Sequence, residues 1–125
     1  MCGIVGYIGN ESALGPVIGG LKALEYRGYD SAGITAINGG KPFTAKQVGR
    51  VEGLEAQVVN DKIFKDARVA IGHTRWATHG SPTIANAHPH FNKAKSIFVV
   101  HNGIIENYQE LKQKLSKDGY EFVSE

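Results

Sequence analysis

Apolar residues recur at helical spacing in two parts of the chain, and each part predicts an amphipathic helix. The first stripe consists of Leu14, Val17, Ile18, Leu21 and Leu24. Ser12 is placed to cap this helix, Pro16 falls within its first turn, and Gly28 is the expected stop. The second stripe consists of Ile105, Tyr108, Leu111 and Leu115, followed by Gly119 as the C-terminal signal. Val51–Val59 has a weaker helical pattern and predicts a short helix.

Short apolar runs predict strands around these helices. The runs are Cys2–Gly9, Ala32–Ile37, Pro42–Val48, Arg68–Thr74, Ser96–His101 and the start of a strand at Tyr120–Val123. Asn38-Gly39-Gly40 separates the second and third runs and is a strong signal for a tight hairpin. Arg75–Asn92 has no period and is expected to be a long loop. Because a tight turn pairs two of the strands, the pattern favours an α+β fold with antiparallel strands over a doubly wound parallel sheet.

The composition describes one globular domain of balanced charge. The chain has 125 residues, of which 42% are apolar and 21% charged, and its net charge is +2. So small a net charge implies neither a nucleic-acid nor a membrane partner. No apolar run approaches the roughly 18 residues that a membrane span requires, and the first residues do not resemble a secretory signal. With one cysteine no internal disulfide can form, so a reducing, cytoplasmic location is expected.

Cys2 is the most informative residue because of its position. Initiator methionine is normally removed before a small second residue, and removal of Met1 would give Cys2 both a thiol and a free α-amine. An α-amine, whose pKa is roughly 7.7–8.0, can act as a general base near neutral pH. A thiol needs only modest activation to become a nucleophile. Cys2 would then supply nucleophile and base in one residue, whereas the alternative from the residue alone is an inert cysteine that packs.

An opening segment and four further blocks, in the same order, resemble the class II glutamine amidotransferases. They are Cys2–Gly6 (CGIVG), Leu24–Gly33 (LEYRGYDSAG), Thr74–Gly80 (TRWATHG), Ala87–His90 (AHPH) and Val100–Asn107 (VHNGIIEN). The resemblance covers nearly the whole chain and is strongest to the branch that aminates a sugar phosphate. It implies an N-terminal nucleophile hydrolase fold, a four-layered α-β-β-α sandwich with antiparallel sheets, of which residues 1–125 form the N-terminal part.

The resemblance also implies a reaction in two halves. The glutaminase half hydrolyses the side-chain amide of L-glutamine through a thioester at Cys2. The ammonia then reaches fructose 6-phosphate in sugar-phosphate isomerase domains that this chain lacks. No cofactor is expected in either the glutaminase reaction or this chain.

For catalysis, the family's oxyanion hole is matched by the side chain of Asn102 and the backbone N–H of Gly103. From the residues alone, Asn-Gly after a strand is also typical of a simple turn. Arg27 and Asp30 lie in a motif that packs beside the nucleophile in the family. An ion pair at the end of a helix is the alternative for these two residues.

For substrate binding, Arg75 matches the residue that pairs with the α-carboxylate of glutamine, a task that suits a guanidinium. Thr78 and His79 match positions that line the same end of the substrate. Trp76 matches a mobile loop that closes over glutamine, and its alternative is a buried core anchor.

The five histidines raise the question of a metal site. His88 and His90 flank one residue and would face the same side of an extended segment. Zinc sites usually have more regular ligand sets, and no second cysteine is available. Structural hydrogen bonding is therefore the favoured role of these two histidines, and no metal is expected.

The chain stops at Phe122–Glu125, before the stretch that in the family carries an aspartate for the α-amine of glutamine. The isolated chain is therefore expected to have little or no activity and to self-associate. Two alternatives stay open. One is a catalytically silent module, which retention of Met1 would favour. The other is a different amidotransferase of the same class, against which the Leu24–Gly33 block argues.

Overall fold

An antiparallel four-stranded sheet forms the centre of the structure, a computed structural model that describes residues 1–125. Its strands are β1 (Gly3–Ile8), β2 (Ser31–Asn38), β3 (Lys41–Val48) and β4 (Val69–Arg75), arranged in the order β1-β4-β2-β3. The helices are α1 (Leu14–Leu24), α2 (Val51–Val58), α3 (Lys62–Lys65) and α4 (Tyr108–Lys117). A second sheet has only two short strands, β5 (His90–Phe91) and β6 (Phe98–Val99).

The β2–β3 hairpin is confirmed with the predicted turn. Asn38 pairs with Lys41 across a two-residue loop. Gly39 and Gly40 in that loop have φ values of 59° and 74°, which glycine adopts without steric cost. This hairpin places β2 between β3 and β4, in the middle of the sheet.

The core lies between one face of the sheet and helices α1 and α2. Its fully or almost fully buried apolar residues come from both helices and from β2 and include Val17, Leu21, Ala32, Ile34, Val51, Leu54 and Val58. Burying a side chain such as Leu21 or Leu54 stabilises the fold by roughly 1.5–3 kcal/mol. The predicted stripe at Leu14–Leu24 is therefore confirmed as a core-facing helix, and the short helix predicted at Val51–Val59 is also confirmed.

The opposite face of the sheet carries the polar residues that matter below. Side chains alternate along a strand, so in β4 Gly72 faces Val17 and Leu21 of α1, and His73 and Arg75 point away from the helices. β2 is buried on both faces, because Gly33 lies directly against the backbone carbonyl of His88. Any side chain at Gly33 would displace the segment that carries His88.

Helix α4 forms as predicted but is not packed against the core. It ends at Lys117, two residues before Gly119, which has a φ of 90°. The Tyr120 N–H closes this end by donating to the Leu115 carbonyl at 3.0 Å. None of its side chains is buried: Ile105, Tyr108 and Leu111 of the apolar stripe are exposed, and Leu115 is half-buried. The α+β class with antiparallel sheets is confirmed. Of the expected layers, helices α1 and α2 and the large sheet are packed together, β5 and β6 supply a small second sheet, and α4 lies exposed.

Several predictions about irregular segments were wrong. The strand predicted at Ser96–His101 has only two paired residues, because Asn92 Oδ1 accepts from the N–H groups of Ser96 and Ile97 and turns the chain there. The loop predicted at Arg75–Asn92 contains β5 near its end. Tyr120–Val123 is not a strand, since no neighbouring strand pairs with it.

Helix α3 was not predicted, because a four-residue helix is too short to show a period. Asp61 begins it, with its side chain accepting from the Ile63 N–H at 2.9 Å. None of the helices has the length and apolar character that crossing a membrane requires.

Candidate active site

A cavity of about 880 Å³ opens where the chain's first residues meet the end of β4. Because Gly3 in β1 pairs with Thr74 in β4, the residues before β1 lie beside the residues after β4. All residues predicted for the site line this cavity except Asp30. They are Cys2, Arg27, Arg75, Trp76, Thr78, His79, Asn102 and Gly103.

The Cys2 thiol is held by the backbone of Trp76. Its Sγ accepts from the Trp76 N–H at 3.2 Å and lies 3.7 Å from the Trp76 carbonyl oxygen. The backbone carbonyl of Cys2 accepts from Asn102 Nδ2 at 3.1 Å, so the predicted nucleophile and one predicted oxyanion donor are in direct contact.

Met1 and Arg27 contact each other at the rim of the cavity. The amino group of Met1 donates to the carbonyl of Arg27, and Arg27 Nη2 lies 3.6 Å from the Met1 sulfur. Met1 is exposed, so removing it would uncover the nitrogen of Cys2 without disturbing the core.

Asp30 supports the site from outside the cavity. Its Oδ2 accepts from the Ala77 N–H, and its Oδ1 accepts from Ser31 Oγ at 3.0 Å. Asp30 Oδ1 also lies 3.6 Å from Arg75 Nη1. The ion pair between Arg27 and Asp30, which was the alternative for these residues, is not formed. Asp30 therefore ties the loop after β4 to the start of β2.

The guanidinium of Arg75 organises the loop that follows it. Arg75 is only 8% exposed. Its Nη1 donates to the carbonyl of Ser81 at 3.1 Å, and its Nη2 donates to the carbonyls of His79 and Gly80, the latter at 3.2 Å. Buried guanidinium donors need such partners. In this structure Arg75 thus shapes the cavity wall as well as lining it.

The carboxylate of Glu125 contacts the same loop. Glu125 Oε2 accepts from the Ser81 N–H at 3.0 Å, and the Glu125 N–H donates to Asn86 Oδ1 at 2.9 Å. Asn86 is buried and donates back to the Ser81 carbonyl at 2.9 Å. Asn86 is not among the predicted site residues, because an asparagine inside an irregular segment usually indicates no more than a turn.

Trp76 lies at the mouth of the cavity and is 51% exposed, so the core-anchor alternative is wrong. Its indole rests on Gly28, where φ is 113° and a Cβ atom would come within 2.7 Å of the ring. Gly28 was predicted only as a helix stop, and its contact with Trp76 could not be inferred from that position. Beyond Trp76, Thr78 Oγ1 and His79 Nδ1 are hydrogen-bonded at 3.1 Å on the exposed loop.

Three histidines form a stack on the site side of the sheet. The rings of His73 and His88 are 4.2 Å apart and inclined by 21°, and His90 packs edge-on against His88, also at 4.2 Å. No group of three or more His, Cys, Asp or Glu side chains is arranged to hold a metal ion. His88 has the hydrogen-bonding role expected for it, since its Nδ1 accepts from the His101 N–H at 3.3 Å. His90 contributes packing.

The stacked imidazoles are neutral at neutral pH. Burial, followed by the charges of His73, His90, Arg75 and Lys46, lowers the pKa of His88 to about 3. Burial, followed by Lys46 and Arg75, lowers the pKa of His90 to about 4. Burial likewise lowers the pKa of His73, although its hydrogen bond with Asn102 opposes the shift.

Asn102 is held by this stack, and Gly103 lies against the ring of His101. Asn102 Oδ1 lies 2.7 Å from His73 Nε2. Gly103 has a φ of 142°, and a Cβ atom there would come within 3.3 Å of the His101 ring. The position therefore favours glycine. His73 was not among the predicted site residues, although the alternation of β4 puts it on the same face as Arg75, two residues away, and could have identified it.

The fold and this site define the class of protein. Residues 58–125 match the sequence model of a family described as the glutamine amidotransferase domain, and the chain belongs to that family.

Curated relatives resemble the whole chain. It is 53% identical over 125 residues to the glutamine–fructose-6-phosphate aminotransferase [isomerizing] of Streptomyces coelicolor, covering 100% of this chain and 20% of that protein. It is 54% identical over 125 residues to the protein of the same name from Aquifex aeolicus, covering 100% of this chain and 21% of that protein. The chain thus spans about a fifth of the length of these relatives.

Two solved structures share the fold. The structure of the allosteric regulatory enzyme of purine biosynthesis superposes with a TM-score of 0.79 at 31% identity, covering 98% of this chain and 26% of that one. The glutamine phosphoribosylpyrophosphate amidotransferase from B. subtilis, complexed with ADP and GMP, superposes with a TM-score of 0.76 at 31% identity and the same coverages, 98% and 26%. The fold is that of the N-terminal nucleophile hydrolases of this class.

Proposed function

We propose that residues 1–125 are the N-terminal part of the glutaminase domain of a glutamine–fructose-6-phosphate aminotransferase. The domain hydrolyses the side-chain amide of L-glutamine and supplies ammonia for making glucosamine 6-phosphate from fructose 6-phosphate. The transfer of this ammonia to fructose 6-phosphate takes place in sugar-phosphate isomerase domains outside this chain. The observation that carries the proposal is the convergence of Cys2, Asn102 and Gly103 on one cavity. The names of the relatives support the choice of acceptor.

The nucleophile is the Cys2 sulfur, and the base is the α-amine of the same residue after Met1 has been removed. The amine takes the thiol proton, and Sγ bonds to the side-chain carbonyl carbon of glutamine. The resulting ammonium returns a proton to the departing nitrogen, which leaves as ammonia and gives a thioester. Water then attacks the thioester, with the amine again as base, and releases glutamate and the free thiol.

The oxyanion of the tetrahedral intermediate is stabilised by Asn102 Nδ2 and the backbone N–H of Gly103. The contact between Asn102 Nδ2 and the Cys2 carbonyl, at 3.1 Å, supports this role because it puts the donor beside the nucleophilic residue. The positive φ of Gly103 fits a backbone turned to present its N–H. Preorganised donors of this kind each contribute about 10²–10³ to kcat.

The α-carboxylate of glutamine binds at the loop held by Arg75, with Thr78 and His79 lining the same end. The contact of the Glu125 carboxylate with the Ser81 N–H supports this assignment, because it shows that the loop has a backbone donor for a carboxylate. Trp76, whose half-exposed indole packs against Gly28, closes over the substrate. Arg27 and Asp30 support the nucleophile and the loop.

Self-association of the isolated chain is part of the proposal. A set of large apolar side chains near α4 and the second sheet is at least half exposed, namely Ile97, Val99, Ile104, Ile105, Tyr120 and Val123. Exposed apolar surface of this kind favours association. The proposed location is the cytoplasm, and neither nucleic acid nor a membrane is a proposed partner.

Covalent labelling of the whole protein tests the proposed function. A glutamine analogue with an electrophilic side chain should add once per chain, at Cys2, and excess L-glutamine should slow the reaction. Cys2→Ala should take up no label and release no ammonia from glutamine. The D-isomer of the analogue is the matched control for nonspecific alkylation. Labelling elsewhere, or ammonia release by Cys2→Ala, would rule out the proposed nucleophile.

A further inference from the structure

Two adjacent residues, His101 and Asn102, are each held by one ring of the histidine stack. The His101 N–H donates to His88 Nδ1 at 3.3 Å, and Asn102 Oδ1 lies 2.7 Å from His73 Nε2. The two rings are in face-to-face contact, 4.2 Å apart. His73 is 1% exposed and belongs to the central strand β4. The buried His73 side chain, which has no room to rotate, therefore connects strand β4 to the segment that carries Asn102.

The contacts of Asn102 fix the direction of its amide. The carbonyl of Cys2 can only accept a hydrogen bond, so the atom facing it at 3.1 Å must be the Asn102 nitrogen. The amide oxygen then faces His73, and since that oxygen can only accept, His73 Nε2 must carry the proton. His73 Nδ1 is buried and makes no hydrogen bond: the His101 backbone, which raises the pKa of His73, does not meet hydrogen-bonding geometry with it.

The opposite tautomer of His73 would reverse the amide. A proton on Nδ1 would leave a lone pair on Nε2, which attracts the Asn102 nitrogen. The amide oxygen would then turn towards the Cys2 carbonyl and the cavity, where two oxygens repel and an oxyanion finds no donor.

We infer that His73 is a positioning residue, which holds Asn102 with its amide nitrogen towards Cys2 through an Nε2–H···Oδ1 hydrogen bond. The inference rests on the proposed function, because it gives that nitrogen the role of oxyanion donor. His73 does not itself line the cavity, although its partner Asn102 does. It acts on the reaction only through Asn102.

The tautomer is observable in the unmodified protein. Long-range proton–nitrogen spectra of the whole protein labelled with ¹⁵N-histidine report which ring nitrogen of His73 is protonated. At pH 7 the expected result is a neutral ring with the proton on Nε2. A ring protonated on Nδ1 alone overturns the inference. This measurement does not depend on any variant folding correctly.

Glutaminase kinetics of the whole protein provide the second test. His73→Leu removes the N–H at similar size, so kcat should fall by about the 10²–10³ expected for a lost oxyanion donor, with KM little changed. His73→Gln, which offers an amide N–H near the Nε2 position, should recover most of that loss. In an Asn102→Ala background, His73→Leu should change kcat by less than about threefold, because the residue it positions is gone.

The outcomes separate this inference from the proposed function. If Asn102→Ala keeps the unmodified kcat, both the oxyanion role and the inference fail. If Asn102→Ala is slow but His73→Leu is not, only the inference fails. Multiplicative losses in the double variant, or a rise in KM in place of the fall in kcat, would show a general structural role and also overturn it.

Discussion

The backbone N–H of Trp76 donates to Cys2 Sγ at 3.2 Å, although 74 residues separate the two in sequence. The contact exists because β1 and β4 are antiparallel neighbours, with Gly3 opposite Thr74. The start of one strand therefore lies at the end of the other. The chain's first nitrogen lies at the same cavity, where it donates to the Arg27 carbonyl. Predictions about the nucleophile, the cavity wall and the histidine stack follow from this arrangement.

A blocked N-terminus should abolish the function of Cys2 as its own base. With an uncleavable residue before Cys2, the nitrogen becomes an amide and cannot take the thiol proton. The rate of ammonia release from glutamine should fall by at least the factor of about 10² that is typical of a general base. Intact mass should confirm the extra residue, and electrophile labelling at high pH checks that the thiol remains accessible. Equal rates for blocked and free termini would contradict the prediction.

Arg75→Lys should weaken glutamine binding and also the hydrogen bonds that hold residues 79–81. A lysine keeps the charge but loses the two-pronged geometry, so KM for glutamine should rise more than kcat falls. The variant also leaves carbonyls of residues 79–81 without a donor, which should lower stability by about 1–3 kcal/mol. The matched control is Arg68→Lys at an exposed position. An unchanged KM would show that Arg75 does not bind the carboxylate.

Gly28→Ala should displace the indole of Trp76. The new Cβ would lie 2.7 Å from the ring, at a φ of 113° that alanine rarely adopts. The strain should cost about 1–3 kcal/mol and shift the emission of the chain's single tryptophan. Gly19→Ala is the matched control, since a Cβ there meets nothing within 4 Å and favours α1. Unchanged emission and stability in Gly28→Ala would show that the indole does not rest on Gly28.

Stability should decrease as the pH falls below about 6.5, the ordinary pKa of histidine. Folding lowers the pKa of His88 to about 3 and that of His90 to about 4. Between each of these values and pH 6.5, the unfolded chain therefore binds more protons than the folded one. The stabilisation is complete above pH 6.5 and is lost progressively as the pH falls, down to about 4 for His90 and about 3 for His88. Urea midpoints at pH 7 and pH 5 measure the effect. His88→Gln should reduce the difference between the two midpoints.

The isolated chain should self-associate and turn over glutamine slowly. The exposed apolar side chains near α4 provide the association surface. Light scattering should give a mass above that of a monomer, and ammonia release should be far below that of the whole protein. Replacing Ile97 and Val99 by threonine should reduce the mass. Replacing the isolated exposed Ile8 in the same way is the control. A monomer with full turnover would contradict both expectations.

The sequence by itself determined the elements whose patterns are local. The helix at Leu14–Leu24, the hairpin at Asn38-Gly39-Gly40 and the strand at Arg68–Thr74 depend on periodicity and turn chemistry within a few residues. The motif blocks likewise gave the family and the candidate site residues, because family motifs are short and ordered along the chain.

Only the tertiary structure decided which residues meet. The His73–Asn102 hydrogen bond, the Gly28–Trp76 contact and the pairing of Asp30 with Arg75 join segments far apart in sequence or on different elements. Helix α4 is a further example: its apolar stripe predicts a helix but does not indicate which surface, if any, packs against it. The pattern of apolar and turn residues reports only the conformation that one segment prefers. Contacts across segments depend on strand order and register, which the whole sheet determines cooperatively.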